Sequence, residues 1–173
     1  MIRRYFIAFG SNIDAETNIL KAMTALSKSV SITGISTFYR TKPIGFKDAN
    51  DFINGVCRIE SPLAPIDLKE KVLKRIEGEL GRTSQMHGNC ARSIDLDILL
   101  YVPTTAHVSD PFPCTPDPDI QDRPFYAIPL GELSPNLILP QINIPIQEII
   151  ERFRNNNMIP LEALSLQLQT DLL

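Results

Sequence analysis

Apolar residues follow one of two periods along most of the chain, and the switches between those periods divide it into elements. "RRYFIAFGSN" reads as a strand over residues 5–9 running into a Gly-Ser-Asn turn. Ile19, Ala22, Met23 and Leu26 then recur at helical spacing, with Asp14 placed as N-cap and Glu16 in the first turn, where the helix dipole favours negative charge. A second strand is expected over 35–40, followed by a loop marked by Pro43 and Gly45. "DFINGVCRIES" alternates as a third strand and puts one amide, Asn54, on the face shared by Phe52 and Val56. The stretch 61–82 predicts a helix with Pro65 in its first turn, Leu68, Val72, Leu73, Ile76 and Leu80 on one face, and Gly81 as its C-terminal cap. "SIDLDILLY" predicts a strand with Ile94, Leu96, Ile98 and Leu100 on one face and Asp95, Asp97, Leu99 and Tyr101 on the other.

Beyond Tyr101 the pattern weakens. A Pro-rich segment, 102–124, is long for a structureless loop and therefore reads as functional. "FYAIPL" suits a short strand and "IPIQEIIERFRNNN" a helix, while the alternation from Leu164 to Leu168 suits an extra edge strand, a subunit contact or a frayed tail. The order strand, helix, strand, strand, helix, strand predicts a ferredoxin-like α+β fold: a mainly antiparallel sheet with helices on one face. Residues 1–173 are expected to form a single domain, in which 157–173 are a C-terminal extension without an assigned role.

Composition narrows the function classes. With 43% hydrophobic residues and a formal charge of −3, the chain has material for a core but no general attraction for nucleic acid or an acidic membrane. Cys57, Cys90 and Cys114 are odd in number and widely spaced, with no C-x-x-C pair, so reduced thiols in a cytoplasm are expected rather than a disulfide framework or zinc site. The apolar run before Gly10 is too short for a signal-peptide core, and no run reaches membrane-spanning length.

Against this background the two aspartates of the fourth strand stand out. A period of two places the Asp95 and Asp97 carboxylates about 6–7 Å apart on one face. Their repulsion is relieved by a proton or by a cation between them, and Mg²⁺, which takes one or two carboxylates plus phosphates and water, suits a D-x-D pair with no histidine nearby. A solvated polar face on an edge strand is the plainer alternative. Arg92, Glu77 and Arg82 add acid and arginine close by in sequence, as a metal-nucleotide site requires, although Arg82 also suits the helix terminus and Glu77 also suits pairing with Lys74 or Arg75. No G-x-G-x-x-G follows the first strand and no Gly-Lys dipeptide occurs, so any triphosphate would be held by metal and side chains.

Taken in order, "FGSN", "FYRTKPIG", "DFINGV", "RIEGELGR", "ARSIDLDILLY", "DRPF" and "PLGELSP" resemble the 6-hydroxymethyl-7,8-dihydropterin pyrophosphokinase family from about residue 5 to about residue 140. The resemblance implies the ferredoxin-like fold and transfer of the β,γ-diphosphoryl group of ATP to the pterin hydroxymethyl oxygen in folate biosynthesis, with AMP released and two Mg²⁺ ions engaged. Carried over by position, it implies metal ligation by Asp95 and Asp97, ATP binding by Glu77, Arg82, Arg92, Ile98 and Arg123, catalytic roles for Arg82 and Arg92 beside the two aspartates, and a pterin pocket of Thr41, Pro43, Ile44, Phe52, Asn54 and Phe125. The pocket assignment also has a physical basis, since a flat heterocycle is held by aromatic faces and by amides that pair its polar edge. The linkers 46–51 and 83–91 are expected to close over the ligands.

Three departures from the family pattern stand in the chain. Asn89, Cys90 and Ala91 precede Arg92 where a tryptophan and "GPR" are common, Ser84 replaces a frequent arginine, and Asp117 takes the place of a histidine. An anion at 117 repels a triphosphate unless its side chain turns away or binds metal. A catalytically impaired chain, a non-catalytic ligand-binding module and a diphosphokinase for a modified pterin are the alternatives these departures leave. The partners expected are ATP and the pterin, without nucleic acid or membrane, in a monomer or weak homodimer.

Overall fold

The computed structural model describes residues 2–44, 50–81, 91–103 and 115–173. Its first half is β1 (Arg3–Ser11), α1 (Ala15–Ser27), β2 (Ser31–Ile35), β3 (Tyr39–Thr41) and β4 (Phe52–Ser61), followed by a continuous helical segment made of α2 (Pro65–Asp67), a π-helical turn (Leu68–Leu73) and α3 (Lys74–Glu79). β5 (Asp95–Pro103), a 3₁₀ turn (Pro118–Gln121) and α4 (Pro124–Leu133) follow. The chain ends with the β6 (Ile138–Leu139) and β7 (Ile144–Pro145) hairpin, α5 (Ile146–Glu151), β8 (Ile159–Pro160) and α6 (Glu162–Leu172). The main sheet runs β5-β1-β4-β3-β8 with β2 also on β4, and every pairing is antiparallel. A first strand inside the sheet, flanked by β4 and β5, is the ferredoxin-like arrangement predicted by the element order.

Both faces of the sheet are covered, not one. Tyr5, Ile7 and Phe9 of β1 and Ile53, Cys57 and Ile59 of β4 pack with apolar residues of α1, the π turn, α3 and α6. Their alternates, Phe6, Ala8 and Val56, pack with Ala127 and Leu130 of α4 and Ile146 and Ile149 of α5. This second layer comes from the segment expected to be a strand. The sequence "PFYAIPLGEL" is a helix with Pro124 in its first turn, where a missing N–H costs nothing, and an internal Pro129 buried against neighbours. Its apolar residues point to the sheet on one side and α5 on the other, which removes the amphipathic stripe that marks a surface helix.

The strand expected over 35–40 is also corrected, by backbone hydrogen bonding. It is interrupted between β2 and β3. In the gap the Val56 amide donates to Ser36 Oγ at 2.9 Å, and Ser36 N donates back to Val56 O at 3.0 Å. Phe38 then turns inward, fully buried, and crosses Phe9 edge-on at 6.1 Å. Gly55 makes room for it, since a Cβ there would stand 2.6 Å from the ring. Gly55→Ala is expected to cost about 1–3 kcal/mol of stability by overpacking, read as a lower urea midpoint with an unchanged slope.

The alternating stretch Leu164 to Leu168 is neither an edge strand nor frayed. β8 adds two residues to β3, and the alternating stretch is helix α6, which buries Leu164 and Leu168 against the main core. Ser165 Oγ accepts the Phe38 amide at 2.8 Å and Gln169 donates to Ile35 O at 2.9 Å. The tail therefore closes the gap between β2 and β3 from the helix side.

A β-bulge decides what β5 presents. Phe6 pairs with Leu100 but Ile7 pairs with Ile98, so Leu99 is an extra residue on β5. Beyond it the faces exchange: Leu100 joins the α4 layer with Leu99, whereas Tyr101 packs on the α1 side, 5.7 Å from the Tyr5 ring. The unbroken alternation expected for "SIDLDILLY" holds only as far as Ile98. On the α4 face the strand is thus acidic at Asp95 and Asp97 and apolar from Leu99 onward, where α4 covers it.

Candidate active site

Beside the first turn of α4, the same sheet face opens into a cleft of about 200 Å³. β1 supplies its floor through Ala8 and Gly10, β4 supplies Phe52 and Asn54, and β5 supplies Asp95 and Asp97. Thr41, Lys42, Pro43 and Ile44 form one rim; Arg92 and the α4 entry residues Arg123, Phe125 and Tyr126 form the other. One end is apolar and aromatic, the other charged.

The apolar end is built around Asn54, which is 6% exposed. Its Nδ2 donates to Thr41 Oγ1 at 2.7 Å, while Gly10 across the strand pair lets the amide oxygen approach, because a Cβ there would lie 3.0 Å from Oδ1. One amide hydrogen bond to a single hydroxyl leaves further donor and acceptor capacity for a polar heterocycle edge. Phe125 meets Tyr126 edge-on at 5.0 Å, and the Arg123 guanidinium lies over the Phe125 ring at 5.7 Å.

At the charged end each aspartate has its own cation. Asp95 is paired with Arg92, and Asp97 Oδ1 receives Lys69 Nζ at 2.6 Å. Mutual repulsion therefore does not by itself demand a metal between them. Asp95 is the more enclosed, its side chain 12% exposed against 38% for Asp97. Arg92 is located by the Gly-Ser-Asn turn: its amide donates to Asn12 Oδ1 at 2.6 Å, its carbonyl accepts Asn12 N at 3.0 Å, and Ser11 Oγ donates to Ser93 O at 2.5 Å. The turn after β1 thus fixes the approach to β5, a role that its sequence does not announce. Burial, then the fields of Asp97, Asp95 and Asp117, raise the Tyr126 phenol above its ordinary pKa, so it remains a proton donor beside the carboxylates.

The cleft brings together Thr41, Pro43, Ile44, Phe52, Asn54, Arg92, Asp95, Asp97, Arg123 and Phe125. Glu77 and Ile98 lie elsewhere. Ile98 is buried in the helix-side core, and Glu77, also buried, accepts the Leu96 amide at 2.7 Å. Arg82, Ser84, Asn89, Cys90 and Cys114, and most of the two linkers expected to close over ligands, lie outside the described residues. Gly10, Lys42 and Tyr126 are cleft residues that sequence reasoning missed. Tyr126 was hidden by the strand reading of its segment, since only the first turn of a helix places it beside Phe125.

Residues 6–135 match the family model described as 7,8-dihydro-6-hydroxymethylpterin-pyrophosphokinase (HPPK). The chain belongs to this family. A 2-amino-4-hydroxy-6-hydroxymethyldihydropteridine pyrophosphokinase of Haemophilus influenzae is 36% identical over 160 residues, covering 90% of this chain and 96% of the relative. The protein of the same description from Aquifex aeolicus is 35% identical over 144 residues, covering 83% and 88%. A solved structure of HPPK-DHPS in complex with substrates superposes with a TM-score of 0.62 at 14% identity, over 88% of this chain and 44% of that one, which shows a shared fold.

Within the HPPK pattern Asp117 is the departure that the structure places. It precedes the 3₁₀ turn, its carboxylate accepts the Asp119 amide at 2.9 Å, and it is not among the residues lining the cleft. Burial is the main cause of its raised pKa; the Asp119 and Asp97 charges add to it, and the accepted amide and Arg123 oppose it. A carboxyl whose pKa is raised on folding binds its proton more tightly in the native state, so stability falls as pH rises from the ordinary carboxylate range through the raised value. Asp117→Asn keeps an oxygen for the Asp119 amide and does not titrate. Its urea midpoint is expected above that of the parent at neutral pH, with the advantage vanishing below about pH 4.

Proposed function

We propose that the chain transfers the diphosphoryl group of ATP to the hydroxymethyl oxygen of 6-hydroxymethyl-7,8-dihydropterin, in folate synthesis, releasing AMP. One observation carries the site assignment: a single cleft joins an amide-and-aromatic end suited to a flat polar heterocycle to a carboxylate-and-arginine end suited to a metal-bound polyphosphate. Family membership supports the reaction itself.

Among the described residues no group of three or more His, Cys, Asp and Glu side chains converges. Two carboxylates facing one cleft nevertheless fit Mg²⁺, which fills its remaining positions with phosphate oxygens and water. Bound at Asp95 and Asp97, Mg²⁺ would neutralise phosphoryl charge and favour ionisation of the attacking hydroxyl. Phe52 and Phe125 hold the pterin faces, Thr41 and Asn54 read its edge, and the pocket thereby aims the hydroxymethyl group at the aspartates. Arg92 and Arg123 offset charge on the transferred group and on AMP. Among the described residues, Tyr126 is a donor able to meet a phosphoryl oxygen, since its phenol keeps its proton. No helix among the described residues is long and apolar enough to cross a membrane, and a cytoplasmic site of action accords with ATP as substrate.

The test is product identity. Incubation with Mg-ATP and 6-hydroxymethyl-7,8-dihydropterin should yield AMP and the pterin diphosphate in equal amounts. ADP in place of AMP would refute diphosphoryl transfer.

A further inference from the structure

Lys69 belongs to the helical layer on the opposite face of the sheet from the cleft, yet its ammonium ends at a cleft carboxylate. The π turn places it there: Lys74 N donates to Lys69 O, five residues back, a wider turn that keeps Leu68, Val72, Leu73 and Ile76 on the core while Lys69 meets the outer edge of β5. At that edge Nζ makes two bonds, to Leu96 O at 2.8 Å and to Asp97 Oδ1 at 2.6 Å. The backbone carbonyl fixes the ammonium, and the ammonium fixes one oxygen of Asp97. Only 21% of the Lys69 side chain is exposed, so its charge is held in place rather than waving in solvent.

We propose that Lys69 is a positioning residue that sets the cation preference of the site, by reserving Asp97 Oδ1 and leaving Oδ2 as the oxygen open to metal. The inference rests on the reading of Asp95 and Asp97 as metal ligands. Mg²⁺ is bound octahedrally at short distance and is satisfied by one oxygen of a carboxylate; Ca²⁺ takes more ligands and commonly grips both oxygens of one carboxylate. A cation gripping both oxygens of Asp97 would have to approach the ammonium that already occupies Oδ1, and repulsion opposes it. The lysine thus discriminates against the larger ion while leaving single-oxygen ligation available.

The experiment is calorimetric titration of Mg²⁺ and Ca²⁺ into the full chain with α,β-methylene-ATP, for the parent, Lys69→Met and Lys69→Arg, with thermal melts of each. Lys69→Met keeps the stem but loses the ammonium. Its Ca²⁺ affinity is expected to rise relative to Mg²⁺ by about tenfold, the size of effect typical of groups that orient metal ligands. Lys69→Arg, which again presents a cation to Oδ1, should restore most of the parental ratio. A lysine that only ties the π turn to β5 would lower the melting temperature of Lys69→Met without moving the ratio, and that outcome overturns the proposal while leaving the metal reading intact. Analogue binding by the parent that is indifferent to either metal overturns both.

Discussion

Asp97→Ala is expected to lower the rate of AMP formation about a thousandfold while the chain stays folded, because on the proposed reading a metal-held phosphoryl group loses several kcal/mol of charge stabilisation and each 1.36 kcal/mol is a factor of ten. Asp97 sits on the open part of the β5 face with 38% of its side chain exposed, so no core packing is lost with it. Removal also leaves Lys69 facing the phosphates without its carboxylate partner. The ammonium can then attract the nucleotide directly, so the loss is expected in kcat, with the ATP KM changed much less. Single-turnover measurement of AMP at saturating Mg-ATP and pterin checks this. A variant within about threefold of the parent would remove Asp97 from the chemistry.

The acid pair was legible in the sequence because a strand's period of two is rigid over the three residues from Asp95 to Asp97. Farther along the same strand the reading failed, at Leu99, because a bulge depends on how β1 pairs with β5 and leaves no local mark. The pocket aromatics show the same division. Phe52 and Asn54 lie on a long regular strand whose alternation identifies their shared face, whereas Phe125 was placed by resemblance and Tyr126 was missed. Both belong to a helix buried on two sides, in which the apolar stripe that would reveal a 3.6 period is absent and two prolines imitate a loop boundary. Lys69 was invisible for a different reason: in the sequence it is one lysine among several on a helix, and only a π turn against the β5 edge gives it a carboxylate partner across the sheet. Contacts set by local period could be read; contacts set by pairing register, or by two elements meeting edge to edge, could not.

Glu77 is held by a contact of this second kind. The family resemblance grouped it with nucleotide-binding residues; in the fold the residue is 6% exposed and its carboxylate accepts the amide of Leu96, on the outer side of the terminal strand of the sheet. The carbonyl of the same residue is met by Lys69, so α3 and the π turn together satisfy both edge groups of Leu96 beside the aspartate pair. An edge strand leaves such groups without a strand partner, and a buried N–H without an acceptor is costly. Glu77→Ala removes a charge-assisted bond and strands that amide, and is expected to destabilise the fold by about 3 kcal/mol. Glu77→Gln retains an oxygen acceptor and should lose about 1 kcal/mol. Urea melts of the two variants test this, and hydrogen exchange localises it, with the Leu96 amide losing protection in Glu77→Ala and keeping most of it in Glu77→Gln. A residue serving only the nucleotide would show the reverse: unchanged melts and unchanged exchange, with a raised KM for ATP in both. The prediction therefore separates support of the β5 platform from contact with the ligand that the platform carries.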